Sequence, residues 1–229
     1  MTFDYEHQMV KPAEQWLSSQ GLATKREFST PWGICDLVGC SMKEESVRQR
    51  LALGQTKPIG PQIRVLILSC IPDKTENKSI GLKRLCREFS GFLDEDRIAL
   101  ALDQLMKDKF VQTTRAGLFQ KLNGWMPLHK RLVALELKLS RINDALHQAI
   151  SNLEFANESY VGIPIEIGKS LLNSRKKSEF VHEGIGIVGI SQKRCKVLLN
   201  SNPTAKRHKN QIIQTHCVER FWRTRIKDN

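Results

Sequence analysis

A short apolar stretch with two charges in it constrains the fold of this chain more than any other feature. Residues Leu132 to Ser140 read Leu-Val-Ala-Leu-Glu-Leu-Lys-Leu-Ser, which is typical of a strand buried on both faces of a sheet. Side chains alternate along a strand, so Glu136 and Lys138 point to one face and the leucines between them to the other. A charge in a buried strand costs free energy unless it is paired or holds a metal or a substrate. The stretch is therefore either an exposed edge strand with a Glu–Lys pair or part of a functional site.

A second predicted strand is interrupted by charge in the same way. Residues 23–28 and 32–39 are typical of two strands joined by a turn around Pro31, and Asp36 lies in the middle of the second. Aspartate is disfavoured in strands, and its burial costs free energy unless it has a partner. Two apolar strands that each carry an unexplained charge favour a functional site over an edge-strand ion pair.

The charge of the chain favours a polyanionic partner. The 229 residues carry a formal net charge of +12, and residues 191–229 contain ten lysines and arginines but only two acidic residues. Basic residues at this density are typical of a surface that binds the phosphates of DNA. A basic tail exposed to solvent is the alternative.

Composition also bears on the cellular compartment. No apolar run approaches the roughly 18–20 residues that span a bilayer, and the first ten residues lack the apolar core of a signal peptide. The six cysteines are scattered without a CxxC pair, which is typical of reduced thiols. We therefore expect a cytoplasmic protein without a membrane partner.

The middle of the chain has a pattern of its own. Residues 44–61 are polar and have linker character, and helices are predicted to begin near residues 62, 80 and 94. A hairpin is predicted over residues 110–122. Three helices and a hairpin, with Gly91 in the turn before the third helix, resemble a winged helix-turn-helix domain over residues 60–125.

A winged helix that binds DNA would place its third helix in the major groove. The candidate contacts are polar side chains on that helix and on the wing, namely Arg97, Gln104, Lys107 and Arg115. The same helix also carries acidic residues, which repel phosphate: Asp94, Glu95, Asp96, Asp103 and Asp108. Binding of a protein partner is therefore the alternative role of this domain.

Outside this domain, the predicted elements follow an order that defines a fold class. The order is helix, strand, strand, insertion, strand, helix, strand, helix, strand, strand. It predicts an α/β (α+β) fold, in which helices flank a mixed sheet and the winged-helix domain is inserted between two core strands.

The charged strands also resemble a known family. Asp36, then Glu136-Leu137-Lys138, then a helix that carries Gln148 are similar to the PD-(D/E)XK nuclease superfamily, as are the flanking residues 32–38, 134–141, 145–149 and 160–164. The resemblance implies a restriction-endonuclease-like domain built from residues 1–45 and 126–229. Ninety-nine residues separate Asp36 from Glu136, whereas the family joins these strands closely, and the inserted domain accounts for the excess. Ile-Cys precedes Asp36 where the family pattern has proline.

The resemblance implies a role for each of these residues. Asp36, Glu136 and the backbone carbonyl of Leu137 would bind Mg²⁺, for which Mn²⁺ can substitute, and Lys138 and Gln148 would complete the catalytic site. Carboxylates on adjacent strands can share a hard cation, which prefers oxygen ligands. The lysine would orient the attacking water and stabilise the charge that develops on the phosphate. Further candidates are Glu14 and Glu27 as additional carboxylates and Arg141 as a phosphate contact.

These features together predict a metal-dependent DNA endonuclease whose winged helix helps to place the DNA or a partner. One alternative is a catalytically silent DNA-binding or regulatory protein on a nuclease scaffold. Another is a nuclease subunit that a partner protein activates. We expect DNA as the main partner, together with a homodimer or a protein bound through the winged helix.

Overall fold

The apolar stretch that contains Glu136 is an interior strand of a six-stranded sheet in the computed structural model, which describes residues 3–122, 128–202 and 209–223. The strands are β1 (Ala23–Thr30), β2 (Gly33–Met42), β3 (Val111–Thr113), β4 (Phe119–Lys121), β5 (His129–Leu137), β6 (Glu158–Pro164), β7 (Gly186–Ile190) and β8 (Cys195–Leu199). The helices are α1 (Val10–Ser19), α2 (Glu44–Ala52), α3 (Gln62–Cys70), α4 (Leu82–Glu88), α5 (Glu95–Lys107), α6 (Ile142–Asn152), α7 (Ile165–Leu172), α8 (Lys176–Glu183) and α9 (Gln211–Glu219).

The six-stranded sheet is mixed, as predicted. Its order is β1-β2-β5-β6-β7-β8, with β5, β6 and β7 parallel to one another and with antiparallel pairs β1–β2 and β7–β8 at its two ends. Helices flank this sheet, so the predicted α/β class is confirmed. Because β5 lies between β2 and β6, the alternative of an exposed edge strand is wrong.

Two layers of helix cover the faces of this sheet. On one face, Ala13 and Leu17 of α1 pack against Leu135 and neighbouring strand residues. On the other, Leu146 of α6 and Phe180 of α8 pack against residues of β6 and β7. All of these side chains are almost fully buried, and each large apolar one stabilises the fold by about 2 kcal/mol.

The strand and helix boundaries correct three sequence predictions. Strand β5 ends at Leu137, so Lys138 lies one residue beyond it. The predicted linker at 44–61 begins with the helix α2, whose buried side includes Val47. The single helix predicted before the last two strands is two helices, α7 and α8, because the chain turns at residues 173–175. Helix α9 was not predicted from the sequence, because the many basic residues around it obscure its short apolar pattern.

A second compact unit comprises residues 42–128 and the chain from Thr215 onwards, while residues up to Ser41 and 129–214 form the first. Helices α3, α4 and α5 are followed by the β3–β4 hairpin in this unit. Gly91 has φ +86° in the turn between α4 and α5, a conformation that favours glycine. Asp94 caps α5, which begins close to the predicted residue 94, since its carboxylate accepts a hydrogen bond from the Arg97 amide (2.8 Å).

A buried ion pair joins the two chain segments of the second unit. Arg50 and Glu219 are 6% and 2% exposed, and Arg50 Nη1 donates to Glu219 Oε1 at 2.6 Å. The other carboxylate oxygen accepts from the Ile59 amide (2.9 Å). The guanidinium lies over the rings of Phe110 and Trp222, 4.9 and 4.0 Å from their centroids. This pair explains why the end of the described chain belongs to the second unit, whereas the sequence assigned residues 126–229 to the first.

The helices of the described ranges are too short, or too polar, to cross a bilayer.

Replacing Arg50 with alanine is expected to destabilise the second unit by about 3–5 kcal/mol, because it leaves the Glu219 carboxylate buried without a counter-charge. Urea unfolding followed by far-UV circular dichroism measures this loss. The control is Arg84→Ala, which removes an exposed arginine that lies 3.9 Å from Glu88 and should change stability by less than about 0.5 kcal/mol. An Arg50→Ala protein as stable as the control would contradict the assigned role of the pair.

Candidate active site

Glu136 is a carboxylate buried in the middle of the sheet. It is 2% exposed, and its Oε1 accepts a hydrogen bond from Asn152 Nδ2 at 2.6 Å. Its Oε2 is buried and has no hydrogen-bond partner within the described part of the chain, although the Cys35 thiol lies beside the carboxyl. Burial, reinforced by the charge of Asp36, raises the pKa of Glu136 to about 7. Near neutral pH the protonated and the ionised forms of Glu136 are therefore both populated.

Asp36 reaches the same region from the adjacent strand β2. The pairing of β1 with β2 is interrupted at Glu27 and Asp36 and continues on either side of them. Glu27 has φ +46°, which is uncommon for a residue other than glycine. At this irregularity the Asp36 side chain extends to β5, where its Oδ2 accepts a hydrogen bond from the Leu137 amide at 2.7 Å. The side chain is 33% exposed, so Asp36 combines a fixed position with access to solvent.

Lys138 lies between several oxygens just beyond the end of β5. Its Nζ is 3.9 Å from Asp36 Oδ2 and 3.5 Å from Glu6 Oε2, and it donates to the backbone carbonyl of Leu137 at 3.1 Å. Glu6 also accepts from the Leu139 amide (3.2 Å). The lysine therefore contacts Asp36 and Glu6, which differs from the Glu136–Lys138 pair of the edge-strand alternative.

A cavity of about 170 Å³ opens beside Glu136, between the β1–β2 hairpin and α6. Gln148 and Asn152 lie one helical turn apart on α6, so both face the cavity. The predicted residue Gln148 therefore lines the same space as Glu136. The complete lining is Thr30, Trp32, Gly33, Ile34, Glu136, His147, Gln148, Ser151 and Asn152.

The sequence interpretation missed two residues that contact the charged groups. Asn152 donates directly to Glu136, and its position four residues after Gln148 was a signal that could have identified it. Glu6 contacts Lys138 from a 3-10 helix at Glu6–Met9, and nothing in the sequence pattern connects these two residues. The site thus depends on Glu6 and α6 as well as on the two predicted strands.

The remaining candidate residues lie in different surroundings. Glu14 of α1 accepts hydrogen bonds from Arg26 and Thr24, and the Arg26 guanidinium lowers the pKa of its carboxyl. Glu27 is exposed at the irregularity of β1. Arg141, just before α6, is exposed and lies 3.6 Å from Asp144. The structure therefore groups Asp36, Glu136, Lys138 and Gln148 together, and places Glu14 in an ion pair of its own.

The oxygen atoms around Glu136 fit a hard cation such as Mg²⁺. Within residues 3–122, 128–202 and 209–223, no group of three or more His, Cys, Asp or Glu side chains is arranged to hold a metal. Mg²⁺, however, is commonly held by one or two carboxylates, with waters and substrate phosphate as its other ligands. The buried Oε2 of Glu136 and the accessible carboxylate of Asp36 are such donors. The Leu137 carbonyl would also have to release its hydrogen bond from Lys138.

The raised pKa of Glu136 predicts a dependence of stability on pH. A carboxyl whose pKa rises from 4.5 to about 7 on folding stabilises the fold below pH 4.5, and this contribution is lost as the pH rises to about 7. Glu136→Gln keeps an acceptor for Asn152 without the charge. In EDTA it should stabilise the protein by up to about 3 kcal/mol at pH 8 and by much less at pH 5, as measured by urea unfolding. The control Asp144→Asn, at an exposed site, should change the stability by the same amount at pH 5 and at pH 8. An equal effect of Glu136→Gln at both pH values would contradict the raised pKa of Glu136.

Comparisons with protein-family models, with curated proteins and with solved structures find no match to this chain. The geometry of the residues around Glu136 is therefore the basis on which a function is proposed.

Proposed function

We propose that this chain is a metal-dependent DNA endonuclease that hydrolyses phosphodiester bonds. The observation that carries the proposal is the buried Glu136 carboxyl, beside Asp36 of the adjacent strand and beside an open cavity, with one oxygen that no described residue hydrogen-bonds. Burying a carboxyl without full hydrogen bonding costs free energy, and binding a cation offsets that cost. A net charge of +12 supports a polyanionic substrate.

The proposed reaction assigns a separate task to each side chain. A bound Mg²⁺ would polarise the scissile phosphate and lower the pKa of an attacking water. Glu136 and Asp36 would hold this ion, and Asn152 keeps Glu136 oriented through its 2.6 Å hydrogen bond. Lys138, already 3.9 Å from Asp36, would stabilise negative charge on the phosphate oxygens. Gln148 would position the water or the substrate from the cavity wall.

We assign the second unit to the winged helix-turn-helix family. The order of α3, α4 and α5 followed by a hairpin supports this assignment, as does an antiparallel bridge between Ile80 and Phe119, which adds a short third strand to the hairpin. Arg115 lies exposed in the hairpin turn, and Gln104 is partly exposed on α5. Arg97 and Lys107 of α5 form ion pairs with Asp94 and Asp103, which reduces the charge they can offer to phosphate.

Two observations favour the alternative in which a partner protein activates the nuclease. Lys138 contacts Glu6 and the Leu137 carbonyl, so it must leave partners before it can act on a phosphate. The exposed side of α5 carries Leu100, which is 63% exposed, close to Asp96 and Asp103. Such an acidic and apolar surface suits a protein, including a second copy of this chain, better than a DNA groove.

The endonuclease proposal is tested with plasmid DNA in Mg²⁺ or Mn²⁺. The wild type is expected to convert supercoiled plasmid to nicked and linear forms, and Asp36→Ala and Lys138→Ala should each reduce the rate by at least about 100-fold. Lys169→Ala, which removes an exposed lysine paired with Glu166, is the control and should cleave normally. Equal cleavage by the wild type and both site variants would reject the site. Binding of DNA without cleavage in either metal would favour the silent or partner-activated alternatives.

The winged-helix assignment predicts a phosphate contact from the hairpin. Arg115→Ala should weaken binding to duplex DNA of any sequence and reduce the slope of log K against log salt concentration by about 1. Fluorescence anisotropy between about 50 and 200 mM salt measures this slope. An unchanged slope for Arg115→Ala, with Lys169→Ala as the reference, would contradict a role of this hairpin in DNA binding.

A further inference from the structure

The tip of the β1–β2 hairpin holds a tryptophan in a fixed position beside the cavity. Thr30 and Gly33 are paired across the strands, so Pro31 and Trp32 form a two-residue turn. The Thr30 hydroxyl donates to the Gly33 carbonyl at 3.0 Å and closes this turn. The position of Trp32 is therefore set by a short, hydrogen-bonded loop.

The Trp32 ring is supported from within the same unit. It lies 6.4 Å from the ring of Phe155, which is fully buried and stacks at 6.2 Å on Phe28. Trp32 nevertheless remains 39% exposed, and Ile34, two residues further on, is 60% exposed. Both residues line the cavity next to Glu136. An aromatic ring that is anchored beneath and exposed above is a surface ready to stack on another ring.

The opposite wall of the cavity is polar and belongs to α6. Gln148 can both donate and accept hydrogen bonds, and the Ser151 hydroxyl, which donates to the His147 carbonyl at 3.2 Å, can accept one. The volume of about 170 Å³ leaves room for one flat ring system. An apolar platform facing polar groups across such a space matches a single nucleobase, with an apolar face and a polar edge.

We propose that Trp32 and Ile34 stack an unpaired base of the DNA next to the bond that is cleaved, so that the substrate is single-stranded or locally opened. This inference rests on the proposed function in taking DNA as the ligand. A base must leave the helical stack to lie against Trp32, and a base that is already unpaired does so at the lowest cost. A folded protein partner is less suited to this surface, because a specific interface buries far more area than two side chains provide.

The test compares binding of one oligonucleotide as a single strand and as a duplex, by fluorescence anisotropy in EDTA. The wild type should bind the single strand more tightly. Trp32→Ala should weaken single-strand binding by about 5- to 100-fold and duplex binding by less than about 2-fold, because one stacking contact is lost. Trp32→Phe keeps a ring and should retain most of the affinity. Val181→Ala removes an exposed apolar side chain elsewhere in the first unit and is the control.

A second series replaces one nucleotide at a time with an abasic unit. The wild type should lose affinity at one position of the strand, and Trp32→Ala should be indifferent to the same replacement. Equal losses of Trp32→Ala for single strand and duplex, or no loss at all, would overturn the proposal. Circular dichroism of Trp32→Phe and Trp32→Ala checks that both variants are folded.

This experiment separates the base contact from the nuclease activity, because it contains no metal and involves no cleavage. Trp32-dependent binding by a protein that never cleaves plasmid would reject an endonuclease that acts without a partner and would retain the base contact. Cleavage that depends on Asp36 and Lys138, with no effect of Trp32 on binding, would reject the base contact alone.

Discussion

The burial of the Glu136 carboxyl in the middle of the sheet is the constraint on which the candidate site depends. A single amide, from Asn152, hydrogen-bonds it, and the second oxygen is left without a hydrogen-bond partner among the described residues. Desolvation and the nearby charge of Asp36 disfavour its ionised form, a cost that a proton or the proposed cation would offset. A protein that needed only a stable sheet would gain from an apolar residue here, and this favours a functional reason for the carboxyl.

The insertion between β2 and β5 is compatible with this site because its two ends meet. The Lys43 amide donates to the Leu128 carbonyl at 2.6 Å, so the chain leaves and returns at one place and the two strands can remain neighbours. The inserted segment also has buried apolar residues of its own, and its Arg50 forms a buried ion pair with Glu219 of the later chain segment of the same unit. A long insertion that is folded in this way adds little entropic cost to the pairing of the strands around it.

The contacts of Lys138 bear both on the proposed hydrolysis and on the proposed activation by a partner protein. The ammonium is shared among Glu6, Asp36 and the Leu137 carbonyl, so each of these groups competes with a phosphate for it. Trp32 and Ile34 present an apolar surface to the cavity that Glu136 also lines. The candidate site thus combines charged groups with an exposed aromatic ring, and the two proposals use one feature each.

The sequence by itself determined the α/β class and the mixed sheet, because strand and helix periodicity are local properties that burial reinforces. The resemblance to a nuclease family, and not periodicity, selected Asp36, Glu136, Lys138 and Gln148 as candidates for one site. It could not determine that Lys138 lies beyond the strand or that residues 44–52 form a helix. Nor could it determine that Asn152 contacts Glu136 and that Glu6 contacts Lys138. Those features depend on which segments pack together in the folded chain, as Glu6 and Lys138 do across 132 positions of sequence. The surroundings of Trp32 and Glu219 were likewise decided by the tertiary structure alone, since neither residue stands out in the sequence.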